Sequence, residues 1–425
     1  MIAWLLISFF VLLFLGVPIA MSLGLSAMGG ILFLGGGSTV TIAQRMFEGM
    51  NSFALLAIPL YTFAGFTMSK GGISKRLMDF CYSIVGHIYG GLAHVNVLSS
   101  MIFAGISGSA VADTAGVSGM FMPEMVRKGY SKNFTVAVTA ISSTIGIIIP
   151  PSIPMVVIAG ICGISTGKLF LGGIIPGFLC GLAQMIVSYF MAKKEGVPKE
   201  PGHFTIGPVL HGLWESWPAL LMPIIIVGTI TMGIVSPTEA GVIAVVYGLF
   251  AGGIIYRELK WEDIKFAFAE TVRTSGRIFI VIGAAKLYTV MLTTAGFDKW
   301  VAKTMLGFST NPTVILIVIL LIFFIVTMFM ESIATLTLFM PILYPIALGV
   351  GINPIVLSVL ITVVIGVGLV TPPVGMCIYV ACDLMDVTVG EVFPTLVPFI
   401  AATFVCIALM VAFPQLILLP TYLMA

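Results

Sequence analysis

Gly146-Ile147-Ile148-Ile149-Pro150-Pro151-Ser152-Ile153-Pro154 and Gly366-Val367-Gly368-Leu369-Val370-Thr371-Pro372-Pro373-Val374-Gly375 interrupt two long apolar runs of this chain. Proline brings no N–H and clashes with the carbonyl one turn back, so each stretch breaks a helix. The runs around them are uncharged: residues 1–44, 80–112, 133–167, 304–330, 332–382 and 392–425 contain no Asp, Glu, Lys or Arg. About 20 apolar residues cross the hydrocarbon core, so several of these runs fold back or break, and their length predicts roughly ten to twelve membrane segments. In hydrocarbon every backbone N–H and C=O has to be paired. Irregular backbone survives there only when buried in protein or lining a cavity. The two breaks therefore belong to the interior of an all-α polytopic membrane protein, whose partner along most of its surface is the lipid bilayer.

Composition supports that class. Of 425 residues 59% are hydrophobic and 8% charged, with a mean hydropathy of +1.18, against about 25% charged in soluble domains. A net charge of +2 gives no basic field for nucleic acid. The six cysteines (Cys81, Cys162, Cys180, Cys377, Cys382, Cys406) lie in apolar runs without a CxxC, so they read as small buried hydrophobes. The N-terminus has no basic stretch ahead of its apolar run and continues into a second one, which predicts a retained membrane segment.

The breaks are part of a duplication. Trp4 and Gly16-Val17-Pro18 recur as Trp217 and Ser236-Pro237. Met68 to Lys75 recurs loosely as Leu292 to Lys299. Asp113-Thr114 followed by Met122-Pro123 recurs as Glu331-Ser332 followed by Met340-Pro341, and Gly167 and Pro176 recur as Gly390 and Pro398. All matches keep one order and a nearly constant spacing. They predict a first repeat over 1–192, a polar and interfacial connector over 193–216, and a second repeat over 217–425. Each repeat is expected to hold a re-entrant hairpin (about 93–125 and 313–345) followed by a broken helix (about 133–163 and 354–385).

Paired breaks in corresponding segments are the strongest sequence pointer to a transporter binding site. The first hairpin has its tip at Gly105-Ile106-Ser107-Gly108-Ser109-Ala110, where glycines allow the turn and serines offer oxygen ligands. Asp113 follows Ser109 by four residues, and Glu331 follows Thr327 by four, spacings that share a helical face. Both carboxylates sit in apolar segments and are functional candidates on that ground. Lys286 is likewise intramembrane by pattern and reads either as a structural pair or as a contact to a partner subunit. Unwound carbonyls and helix ends suit a sodium ion, while half-helix N-termini attract an anion. No GxxxxGK[ST] is present for ATP hydrolysis. Two other readings stay open here. Gly105-Ile106-Ser107-Gly108 matches the GxSG of an intramembrane serine protease, although His87 and His94 precede it and His203 and His211 fall near the connector, leaving no downstream membrane histidine as base. A passive channel would need a repeated polar stripe, which the chain lacks.

The combination of 105–125 (GISGSAVADTAGVSGMFMPEM), 146–160 (GIIIPPSIPMVVIAG) and 368–376 (GLVTPPVGM) resembles the large membrane subunit of TRAP transporters over nearly the whole chain. The resemblance implies two inverted repeats forming a fixed scaffold and a sliding, elevator-type transport domain. It implies sodium (Na+) as coupling ion, a small four-helix membrane subunit on a separate chain, and a soluble periplasmic substrate-binding protein that delivers an organic anion. It places the chain in a bacterial inner membrane. Carried over by position, it puts one sodium near Ser107, Ser109, Gly146, Ile149 and Pro151, and a second near Thr327, Gly368, Thr371, Pro373 and Met376. Gly108, Asp113, Pro150, Glu331 and Pro372 are the substrate-site candidates. The substrate is expected to be a sialic acid or a C4-dicarboxylate, with a sialic acid the first expectation.

Overall fold

The computed structural model describes residues 1–35, 38–197 and 205–424 and contains helices and no strand among them. The middle of the polar connector, 198–204 with His203, lies outside the described residues. The first half comprises α1 (Ile2–Phe14), α2 (Ile19–Leu34), α3 (Val40–Met50), α4 (Ala57–Lys70), α5 (Ile73–Val85), α6 (Gly91–Ser107), α7 (Ala110–Arg127), α8 (Lys132–Ser143), α9 (Ile153–Cys162) and α10 (Thr166–Glu195). The second comprises α11 (Ile206–Thr231), α12 (Pro237–Phe250), α13 (Trp261–Thr294), α14 (Phe297–Phe308), α15 (Pro312–Thr327), α16 (Ser332–Gly349), α17 (Pro354–Gly368), α18 (Met376–Met385) and α19 (Val389–Ala412).

The two series run in parallel, α1 with α11 through α10 with α19, with one difference. In the first half Asn51 and Ser52, followed by a 3₁₀ turn over Phe53–Leu56, separate α3 from α4. In the second half the equivalent pieces are fused into the 34-residue α13. Trp214 and Trp217 fall inside α11, which starts at Ile206. Among the described residues seven helices are long and apolar enough to cross a membrane. This is fewer than apolar length suggests, because that length is shared with shorter hairpin arms and half-helices such as Gly91–Ser107, Ile153–Cys162, Pro312–Thr327 and Met376–Met385. The cysteines are free, and all but the half-buried Cys162 are buried.

The halves exchange helices in two bodies. In one, α4 packs along α12 and α13 packs along α2 and α3. Small residues let these helices approach closely: Gly71 faces Gly252, Gly248 faces Thr67 and Met68, and Gly24 faces Ala284. Two buried tyrosines tie the exchange, Tyr61 donating to Pro237 O at 2.8 Å and Tyr288 to Leu5 O at 2.9 Å. In the other body α18 packs on α7 and α8, α9 on α16, and α10 runs along α19 and α17. A buried polar cluster fastens its α6 to α8. Asn96 donates to Thr139 Oγ1 at 2.7 Å, Ser142 donates to Asn96 Oδ1 at 3.2 Å, and Ser100 donates to Ser142 Oγ at 3.0 Å.

A Cβ added at Gly71 would come within 2.9 Å of the Gly252 Cα, a backbone atom with no freedom to yield. Gly71→Ala is therefore expected to destabilise the fold by roughly 1–3 kcal/mol, read as a lower Tm in detergent. Gly228→Ala, with nothing within 4 Å of the added carbon, should leave the Tm unchanged or raise it.

Candidate functional site

Each broken helix owes its shape to the proline pair. Pro150 and Pro151 withdraw the N–H groups that Gly146 O and Ile147 O would otherwise accept. Ile147 O is recovered by the Ser152 hydroxyl at 2.5 Å, and Ser152 in turn caps α9 by accepting from Met155 N at 3.3 Å. In the second half Pro373 withdraws the donor for Leu369 O, which is recovered by Cys377 N at 2.9 Å, while Gly368 O accepts from Thr371 N at 3.1 Å. Both proline pairs, Pro150–Pro151 and Pro372–Pro373, are joined by cis peptide bonds.

The hairpin tips meet these breaks. In the first half Ile153 N donates to Gly108 O at 3.2 Å; in the second Val374 N donates to Met328 O at 3.0 Å. Gly108 adopts φ +63°, a left-handed conformation that suits glycine, and a Cβ there would sit 2.6 Å from Pro151 O. The two breaks are themselves neighbours, since Gly366 on α17 packs against Thr144.

Around the first break Ser107 donates to Asp113 Oδ1 at 2.5 Å and accepts from Ser109 N at 3.2 Å. The other carboxylate oxygen, Oδ2, is buried without a hydrogen-bond partner among the described residues, in a residue only 2% exposed. Gly146 faces that oxygen: an added Cβ would collide with Asp113 Oδ2 and lie 3.5 Å from Ser109 O. Ser107, Gly108, Ser109, Asp113, Gly146 and Pro151 are thus brought together, and the surrounding segment 141–159 is buried. The Ile149 side chain points away, against Gly177 of α10. Pro150 is buried on the far side of the tip, near Gly105.

The second break is built differently. Thr327 ends α15 and returns its hydroxyl to the carbonyls of Phe323 and, at 3.3 Å, Phe324. Gly368 packs against it, a built Cβ falling 2.5 Å from Thr327 Oγ1. Thr371 donates to Val367 O at 2.7 Å, and Pro373 O accepts from the Tyr379 hydroxyl at 3.3 Å. Pro372 is half-buried, while Pro373, Val374 and Met376 are exposed, so this break has an open side. Glu331 is half-buried and caps α16, accepting from Ile333 N at 2.9 Å, Ala334 N at 3.4 Å and the Ser332 hydroxyl at 2.6 Å.

The two four-residue spacings lead to different contacts. Asp113 bonds Ser107 rather than Ser109, because Gly108 turns the chain so that residue 107 folds back over the start of α7, whose cap is Ser109. Thr327 and Glu331 do not share a helix, since α15 ends at one and α16 is capped by the other. Sequence reading passed over Ser152, although a serine directly after Pro-Pro and ahead of an apolar helix carries an N-cap signal. It also passed over the two tip-to-break backbone bonds, which no side chain announces.

Chemically, the first break offers hydroxyl, carbonyl and carboxylate oxygens. No cluster of three or more His, Cys, Asp or Glu side chains fit to hold a metal occurs among the described residues. Ser107 has a carboxylate beside it rather than an imidazole, and His94 is engaged near Tyr89 O at 3.2 Å. Oxygen groups gathered at paired helix breaks, inside a multi-pass all-helical protein, are the arrangement of a membrane transporter.

The family described as "Tripartite ATP-independent periplasmic transporter, DctM component" matches residues 6–416, and the chain belongs to it. It is a multi-pass protein of the bacterial inner membrane and not an enzyme. It is 35% identical over 408 residues to a sialic acid TRAP transporter large permease protein of Vibrio cholerae, covering 96% of this chain and 95% of that one. It is also 35% identical to a C4-dicarboxylate TRAP transporter large permease protein of Pseudomonas aeruginosa, covering 95% and 94%. To an isethionate TRAP transporter permease protein of Oleidesulfovibrio alaskensis it is 37% identical over 393 residues, covering 92% of this chain and 62% of that protein's length. The fold resembles the YdaH transporter of Alcanivorax borkumensis, with a TM-score of 0.60 at 13% identity over 87% of this chain and 86% of that one.

Gly146→Ala is expected to displace the Asp113 carboxylate while the chain still inserts, lowering substrate uptake in membrane vesicles at least tenfold. Gly228→Ala, on α11 with nothing within 4 Å of its added carbon, should keep uptake near wild type.

Proposed function

We propose that this chain is the large permease of a sodium-coupled secondary transporter that takes up an organic anion handed over by a periplasmic binding protein. The observation that carries the reading is the orphaned Asp113 Oδ2 facing Gly146. A buried carboxylate oxygen with no donor among the described residues calls for a cation or a proton, and Gly146, lacking a side chain, lets the carboxylate lie against the break. Oxygen donors at unwound backbone suit a hard monovalent ion. Ser107, Ser109, Gly146 and Pro151 with Asp113 would hold the first sodium, Ile149 contributing only its carbonyl. Thr327, Gly368, Thr371, Pro373 and Met376 would hold the second, through main-chain and hydroxyl oxygens. Bound sodium neutralises the buried carboxylate and lets the gradient do work, roughly 2.3 kcal/mol per charge per 100 mV.

The anion site lies at the open side of the second break, beside Pro372 and Glu331, with the exposed face of α7 after Asp113 opposite. Relatives named for isethionate, sialic acid and C4-dicarboxylates share one substrate chemistry, a small organic anion bearing a carboxylate or sulfonate. The two bodies supply the parts of an elevator: α2, α4, α12 and α13 as scaffold, and the hairpins with the broken helices as the moving unit. A small membrane subunit is the proposed partner within the bilayer, a reading supported by relatives that are named large permease proteins.

In proteoliposomes holding both membrane subunits, with the binding protein outside, uptake of labelled N-acetylneuraminate or succinate should fall to the no-gradient baseline without a sodium gradient. Undiminished uptake would remove sodium coupling. Ser107→Ala deletes a hydrogen bond to a charged group, a loss of about 1.5–3 kcal/mol, so the half-saturating sodium concentration should rise about tenfold or more. An unchanged sodium dependence would show that the ion sits elsewhere.

A further inference from the structure

We propose that the outer face of the scaffold centred on Lys286 docks a membrane-spanning helix of a second chain, and that a carboxylate on that helix pairs with the lysine. Lys286 lies in α13, nine residues after Arg277 and eight before the end at Thr294. The equivalent place in the first half is Thr62, eight residues before the end of α4 at Lys70 and near the middle of the 18-residue span Phe53–Lys70. The lysine therefore stands near the centre of a membrane crossing. Its neighbours Ile282–Ala285 and Leu287–Thr289 are buried, yet Lys286 itself is exposed. The nearer helix end is about 12 Å away along the axis, too far for a four-carbon stem to carry the ammonium to the headgroups.

Among the described residues no acidic group pairs with it. Gly49 on α3 packs on its stem, where a Cβ would come within 2.6 Å of Lys286 Cβ. The charged groups that α3 brings to this face are Arg45 and Glu48, and these are joined to each other at 2.7 Å, with Gln44 donating to Glu48 Oε1 at 3.3 Å. No ion pair among the described residues includes Lys286. Among the described residues the patch thus carries a positive charge with no ion-pair partner, and Phe47, two residues before Gly49, and Phe53, four residues after it, are 64% and 65% exposed. An aromatic, apolar surround with a single buried-depth cation fits a helix that is apolar except for one acidic side chain. The identity of that second chain, the small membrane subunit, rests on the reading given above.

The test is a zero-length carbodiimide applied to the two co-purified membrane subunits. The reagent activates a carboxyl group, the lysine Nζ attacks its carbonyl carbon, and an amide forms as the urea leaves with the carboxyl oxygen. A peptide joining Lys286 to an Asp or Glu within a membrane-spanning segment of the small subunit is expected. It should vanish in Lys286→Met, which keeps length and removes charge. Lys286→Glu should retain the small subunit at least tenfold less well than wild type, with unchanged gel-filtration and helical circular-dichroism profiles for the large chain. Undiminished retention by Lys286→Glu, without the linked peptide in wild type, overturns the docking face but leaves the two-subunit reading standing. Failure of wild type itself to retain the small subunit overturns both.

Discussion

In hydrocarbon a helix can be broken only if something replaces the hydrogen bonds it gives up, and the interior of this protein is arranged around that requirement. Each Pro-Pro pair withdraws two consecutive N–H donors in mid-membrane. Replacement comes from Ser152 in one half and from Cys377 N in the other, and each hairpin tip adds a backbone bond across to the break, Gly108 with Ile153 and Met328 with Val374. Tip and break are therefore one construction. Beside the first construction Asp113 Oδ2 has no hydrogen-bond partner among the described residues, and the proposed function puts the first ion there.

Duplication supplies two such constructions but does not make them equal. The first has its carboxylate within the cluster, and every residue from 141 to 159 is buried. In the second, Glu331 spends its oxygens on capping α16, and the break leaves Pro373, Val374 and Met376 exposed. Under the proposed function this difference assigns the roles. The enclosed, acidic site suits a small cation that sheds its water, and the open site at a helix start suits a larger anion entering from solution.

Helix breaks and hairpins were legible in the sequence because they depend on Gly and Pro, whose backbone effects are local and strong. The tip at 105–110 contains the observed turn, which lies between Ser107 and Ala110. The element series of the two halves could be matched for the same reason. Side-chain partners were less legible. Ser109 and Asp113 do stand one turn apart at the start of α7, but the spacing did not show that a glycine at φ +63° ends α6 and brings Ser107 onto the carboxylate. The fusion of α3 and α4 into a single α13 was hidden as well, since it turns on whether a short polar step such as Asn51-Ser52 interrupts an apolar pattern that otherwise continues.

The two bodies are held together internally by different means from those that join them. Within the site body, polar side chains such as Asn96, Thr139 and Ser142 bond one another, and tips bond breaks. Within the scaffold, glycine-lined crossings and two tyrosine bonds do the same. Along the seam between α14 and the second hairpin the facing groups are apolar apart from Thr304: Phe297, Val301 and Met305 on one side, Phe339, Ile342 and Leu343 on the other, around a cavity of about 220 Å³. Apolar contacts are non-directional and can be remade after a shift without leaving a donor unpaired, whereas a hydrogen-bonded seam would have to break at each step. Under the proposed elevator reading, a division of this kind would carry the ion and anion sites intact, because the bonds that define them lie within one body.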